Sequence, residues 1–169
     1  DLSVAFIASV LENCPGAVHV FDHFHVVKLM NDHLDDIRRK VYAMEKDVNK
    51  RKVLKGTRYL LLGNGEDIFD QQHKTRLDNA LAMNEPLSKA YYLKEQLREI
   101  WSQISKEKAE AVLDDWVKQA RESKIPQLMR MAATLLAHRR GILAWYDSHV
   151  STGKVEGINN KIKVMKRNA

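Results

Sequence analysis

Residues that interrupt helices are scarce in this chain of 169 residues, which holds only 3 prolines and 7 glycines. So few turn signals predict long helices. The one cysteine, Cys14, excludes an internal disulfide and any zinc cluster built on cysteines. A reducing compartment is the simplest setting for such a chain. No apolar run approaches the length of a membrane span, and no secretory signal opens the sequence. The chain begins at Asp1 rather than at a methionine, and Ala169 falls within a helical pattern. It is therefore expected to be a fragment of a longer protein.

Hydrophobic residues make up 44% and charged residues 30%, which allows one ordinary domain with its own core. Lys and Arg number 28 against 22 Asp and Glu, a formal charge of +6. A basic excess suits a polyanionic partner, although a solvated basic surface accounts for it as well.

Residues 2–11 read as a short helix crowded with Val4, Ala5, Phe6, Ala8, Val10 and Leu11. Asn13-Cys14-Pro15-Gly16 is a stop-and-turn signal. Residues 17–21, short and β-branched, make the best strand candidate, although a strand needs sheet neighbours. From Phe24 the pattern is helical, with Leu34, Ile37, Val41, Met44 and Val48 alternating spacings of three and four. Lys55 to Gly65 reads as a short apolar helical turn packed under a loop. Further helices are expected over 70–83, from Pro86 to about Ile104, along Ala109 to Ala120, and from Pro126 to Tyr146. Trp101, Trp116 and Trp145 have the spacing of core anchors.

The closing stretch, 151–167, has two contrasting faces when wound as a helix. Val155, Ile158, Ile162 and Met165 form one; Glu156, Asn159, Asn160, Lys163 and Arg167 form the other. A stripe with a carboxylate, two amides and two cations is a poor core surface. It suits a metal ion beside a phosphodiester backbone.

Candidate chemistry lies at Asp1, at Asp22 and His25, and at Glu156. Carboxylates at strand ends and helix starts are what a two-metal phosphoryl-transfer site requires, because hard divalent cations take oxygen ligands from separate elements. Each has a plainer reading. Asp1 and Asp22 can be N-caps, His25 a core histidine or half of an Asp–His pair, and Glu156 a first-turn carboxylate favoured by the helix dipole. Lys163, Lys166 and Arg167 can be a solvated face. His19, His23, His33, His73, His138 and His149 show no paired ligand spacing.

Together these segments carry a resemblance. Asp1-Leu2-Ser3-Val4-Ala5-Phe6, then Cys14-Pro15-Gly16-Ala17 with Val20-Phe21-Asp22-His23-Phe24-His25-Val26-Val27-Lys28, are its first part. Lys55-Gly56-Thr57-Arg58-Tyr59-Leu60-Leu61, Ala90-Tyr91-Tyr92-Leu93-Lys94-Glu95 and Glu156-Gly157-Ile158-Asn159-Asn160-Lys161-Ile162-Lys163 complete it. The chain resembles the bacterial insertion-sequence transposases of the ISL type, members of the DDE superfamily with an RNase H-like catalytic core. The resemblance covers essentially the whole chain, and its last motif is the most distinctive.

The resemblance implies a mainly α fold: a truncated RNase H-like α/β core, one helix–strand unit plus the Glu helix, with a large all-α insertion. The implied division is 1–30 for the partial core, 31–148 for the helical insertion and 149–169 for the catalytic Glu helix returning to the core. It implies Mg²⁺ (or Mn²⁺) held by two Asp and one Glu, with strand cleavage and strand transfer at element ends. Glu156 matches the family's Glu. Asp1 is the implied second Asp, with Asp22 the alternative. Asp22-x-x-His25 fits a supporting element, with Asn159 and Asn160 orienting Glu156 or touching DNA. Lys163, Lys166 and Arg167 are the implied DNA contacts. The first catalytic Asp is absent, so the fragment alone is expected to be inactive. The implied partners are DNA, as element ends and target, and further copies of the protein, with no membrane. The implied location is the bacterial cytoplasm, at the nucleoid. A non-catalytic helical DNA-binding module is the alternative. A phosphohydrolase using Asp22 and His25, or an oligomerising bundle with the Leu34-to-Val48 stripe as its interface, needs features the sequence supplies less well.

Overall fold

The structure is a computed structural model that describes residues 3–149 and 153–168 and, in the last helix, the side chains of 157, 158 and 161–167. The described residues form eleven α-helices and two short 3₁₀ turns, with no strand. The mainly α expectation therefore holds.

Helix α1 spans Val4–Asn13 and ends where Pro15 forbids continuation. None of its residues is buried, and Val4, Phe6 and Leu11 are exposed. Helix α2, His23–Met44, starts on Asp22, whose carboxylate accepts the Phe24 N–H. Helix α3, Val48–Leu54, starts the same way on Asp47, which accepts from Asn49 and Lys50. Gly56, at φ 78°, turns the chain into α4, Arg58–Leu62. Helix α5, Gln71–Ala82, is capped by Asp70, and α6, Glu85–Leu97, by Asn84 with Pro86 in its first turn. A 3₁₀ turn over Arg98–Trp101 follows. Helix α7, Lys106–Glu122, starts on Ser105. The final elements are α8 (Pro126–Ala137), α9 (Arg139–Leu143), the single turn α10 (Trp145–Ser148) and α11 (Gly153–Asn168).

The core forms where α2 lies against α6 and α8, and α7 closes over α6 and α8. Val26, Met30, Leu34 and Ile37 of α2 meet Leu87, Leu97, Leu113, Leu128, Met131 and Leu135 inside. Trp116 is buried with its indole N–H donated to the Leu93 carbonyl at 2.7 Å, so its polar atom is satisfied. Helices α3, α4 and α5 extend this bundle beyond α2 and α6.

Four expectations need correction. Residues 17–21 form no strand: Ala17 bends back to donate its N–H to the Cys14 carbonyl, and the Phe21 N–H runs to the Gly141 carbonyl of α9 at 3.0 Å, not to a ladder. A lone segment lacks the neighbours that make a sheet, so it docks on a helix instead. The expected helix over 126–146 is broken at His138 and again at Ala144. The 86–104 helix gives way to the 3₁₀ turn after Leu97. The stripe from Leu34 to Val48 is not continuous: α2 stops at Met44, and Met44 and Val48 are both exposed. Asp47 offers a side-chain cap that starts a new helix more cheaply than the old one continues. Helix α2 runs without interruption across residue 30.

Candidate nucleic-acid interface and metal-binding carboxylates

The turn at the start of α2 gathers the residues of the Asp22–His25 segment. Asp22 is 8% exposed, and its Oδ1 accepts the Phe24 N–H at 2.9 Å. His23 Nδ1 lies 3.4 Å from the same oxygen. His25 donates its backbone N–H to the Asp22 carbonyl at 3.2 Å. Its ring Nδ1 is buried and has no hydrogen-bond partner among the described residues. The fold thus puts Asp22 and His25 in one helical turn, while the carboxylate meets Phe24 and His23.

Beside this turn lies a groove of about 440 Å³ walled by His23, Phe24, Trp101 and Trp145, with Arg98 as its cation. Of the three tryptophans only Trp116 is a buried anchor; Trp101 and Trp145 are half-buried at this groove. Trp101 closes the 3₁₀ turn after α6, and Trp145 opens the single turn α10.

The segment that leads into Asp22 is held by a close fit. Phe21 is 4% exposed and its ring stacks edge-on against His138, centroids 4.9 Å apart. Gly141 allows this approach: a Cβ there would overlap the Phe21 ring and lie 2.9 Å from the His19 carbonyl oxygen. Burial, and then the neighbouring charge of His19, lowers the pKa of His138.

In helix α11 every described side chain is exposed. Ile158, Ile162 and Met165 are 58%, 44% and 68% exposed, and Lys163, Lys166 and Arg167 are exposed as well. Asp1 lies outside the described residues. So do the side chains of Glu156, Asn159 and Asn160, whose backbone belongs to α11. Among the described residues no group of three His, Cys, Asp or Glu is placed to hold a metal ion. No described helix is long and apolar enough to cross a membrane.

Positive charge is concentrated in two places, of which sequence reasoning found one. Residues 153–168 carry five Lys and Arg against Glu156, and residues 48–65 carry five with no acidic residue at all. The rest of the chain holds 18 Lys and Arg against 21 Asp and Glu. The acid-free run was the available signal for the second.

The sequence profile of the DDE transposases of the ISL3 type matches residues 1–169. The chain is 36% identical over 171 residues to the transposase for insertion sequence element IS1001 of Bordetella parapertussis, an alignment covering 100% of this chain and 42% of that protein. It is 31% identical over 180 residues to the transposase for insertion sequence element IS1557 of Mycobacterium tuberculosis, in strains CDC 1551 / Oshkosh and ATCC 25618 / H37Rv, covering 94% of this chain and 40% of theirs. No solved structure matches the chain. It spans about two fifths of the length of these curated relatives. With a match running from Asp1 to Ala169, the chain belongs to the ISL3-type transposase family.

Proposed function

We propose that this chain supplies one part of a DNA transposase: the second catalytic Asp, the catalytic Glu and a DNA-contacting face, in a protein that cuts and joins strands at the ends of an insertion sequence. The observation that carries this reading is the family match over every residue, including the Glu156-Gly157-Ile158-Asn159-Asn160-Lys161 motif on α11. Its fold would be a partial RNase H-like core at 1–30 and 149–169 around a helical insertion at 31–148. The exposed apolar faces of α1 and α11 suit helices that await a further layer of such a core.

Asp1 and Glu156 are the carboxylates we assign to Mg²⁺ (or Mn²⁺), and oxygen donors of this kind fit a hard divalent cation. Bound there, the metal would supply activation of the attacking oxygen and neutralisation of charge on the phosphodiester. The chain's own residues do the positioning. Asp22 caps α2 and fixes the turn bearing His25. Asn159 and Asn160 orient Glu156 or meet the nucleic acid. Lys163, Lys166 and Arg167 meet DNA phosphates, since cations on an exposed helical face displace counterions from the backbone. A set of two carboxylates is one short of the family's three, so we infer that these 169 residues alone do not cleave DNA. Copies of the transposase are expected to act together.

The test is Glu156→Gln in a full-length transposase carrying this sequence. Transposition should be lost while binding to element ends is kept. Retained transposition would overturn the catalytic assignment and leave a helical DNA-binding module in its place.

A further inference from the structure

The groove between α3 and α5 combines two features on separate elements. It has a volume of about 470 Å³ and is lined by Lys52, Val53, Gln71, Gln72, Thr75, Arg76 and Asn79. Two cations, three amides and a hydroxyl are among its lining side chains, with no carboxylate. The helices are held in register by Arg76, whose guanidinium donates to the Lys55 carbonyl. Gly56, at φ 78°, clears the way for that guanidinium, because a Cβ there would lie 3.1 Å from it. Arg76 is thus fixed at the groove by backbone rather than by an acidic partner.

The cations around the groove are not consumed by carboxylates. Asp35 of α2 pairs with Arg38, Arg39 and Arg58, and Asp36 pairs with Lys40. Asp47 and Asp70 cap their own helices. Asp78 lies where its charge reaches Tyr91, toward α6. Among the described residues Lys50, Lys52 and Lys55 have no ion pair, and all three are exposed. Arg51 lies over the Tyr42 ring, 4.8 Å from its centroid. Charge at the end of a helix favours its dipole, but only within the last turn and by a few tenths of a kcal/mol up to about 1. That accounts for Arg51, Lys52 and the C-cap residue Lys55 at the end of α3, not for Lys50 and the amide-lined wall of α5.

We propose that the α3–α5 groove, with Lys52 in its lining and the exposed Lys50 and Lys55 on and just after α3, is a second DNA-backbone contact surface, separate from α11. The inference rests on the reading of this protein as a DNA-binding transposase. Lysine and arginine meet the phosphates, and Gln71, Gln72, Thr75 and Asn79 supply the neutral donors and acceptors that accompany phosphate and sugar contacts. With two basic surfaces on one chain, a DNA duplex is engaged at more than one point.

The experiment measures binding of a 30-base-pair duplex to the whole chain by fluorescence anisotropy across a salt series. Lys50→Gln, Lys52→Gln and Lys55→Gln are combined in one variant. A second variant combines Lys108→Gln, Lys118→Gln and Lys124→Gln, an equal charge change on and just after α7. A third combines Lys163→Gln, Lys166→Gln and Arg167→Gln. The groove variant should bind roughly tenfold more weakly or worse, and its slope of log affinity on log salt should fall by about 2 to 3 units. The α7 variant should lose much less. Acetylation of unmodified protein gives a readout independent of variant folding: DNA should protect Lys50, Lys52 and Lys55 and leave Lys108 and Lys118 reactive. A groove variant that matches the α7 variant, with no protection, overturns the inference. If the α11 variant is weakened in that case, the DNA reading survives; if the chain binds no duplex at all, both fall.

Discussion

The Nζ of Lys94, on α6, donates to the carbonyl oxygen of Leu61, at the end of α4, at 3.0 Å. Lys94 is 1% exposed, and the same ammonium reaches the Gly63 carbonyl, the Glu95 carboxylate and the face of Tyr91. It therefore closes the C-terminal end of α4, where helix carbonyls lack backbone partners. Burial lowers its pKa from the ordinary lysine value, and the Glu95 carboxylate opposes that loss of charge. Two stretches that carry the family likeness, Lys55–Leu61 and Ala90–Glu95, are thus halves of one joint. Their shared task is to set α4, and with it Arg58 and the α3–α4 turn, against the bundle.

Replacing Lys94 with Met keeps most of the apolar stem and removes every one of these bonds. The expected cost is about 1 to 3 kcal/mol, because buried carbonyls are left without their donor. Urea unfolding of the whole chain checks it: the midpoint should fall with the slope unchanged. An unchanged midpoint would mean that the joint is ornamental.

Gly141→Ala should displace the segment that enters α2. The added methyl meets the Phe21 ring, packed in the core, and the His19 backbone. Overpacking of this kind costs about 1 to 3 kcal/mol. Amide exchange at Phe21, whose N–H donates to the Gly141 carbonyl, should quicken in the variant. Equal protection in both proteins would contradict the fit described for Phe21.

His138 makes the same contact sensitive to acid. Its folded-state pKa is depressed, by burial first and by the charge of His19 second. The unfolded chain therefore binds the proton more readily than the folded one. Stability from this group is present above pH 6.5 and is lost as the pH falls through the folded value. Thermal unfolding between pH 8 and pH 5 should show a loss that His138→Gln reduces. An identical pH dependence in both proteins would remove His138 as its source.

Much of the fold was legible from periodicity and caps. Asp70 and the residues after it announced α5, Pro86 announced α6, and the Ala109-to-Ala120 stripe became the buried face of α7. What periodicity missed were interruptions without proline or glycine, at Glu45–Asp47, Leu97 and His138. At the first, a capping aspartate decided. At Leu97 and His138, tertiary contacts decided: Tyr146 Oη donates to the Ile100 carbonyl at 2.6 Å, and the Phe21 segment docks on α9. The pattern at 17–21 resembled a strand because short runs of β-branched and aromatic residues are common to strands and to docked loops. At the candidate site, Asp22 and the basic face of α11 were readable from residue type and spacing. The α3–α5 groove was harder to see, since it joins an acid-free run to amides about twenty residues further on.

The central claim is that Asp1 and Glu156 serve one metal site in a transposase. Mn²⁺ binding to a full-length transposase carrying this sequence, followed by electron paramagnetic resonance, tests it most directly. Asp1→Asn and Glu156→Gln should each weaken Mn²⁺ binding at least tenfold, and the double variant should be little worse than either, as expected for ligands of a shared ion. Mn²⁺ binding that is undiminished in both single variants would contradict the account.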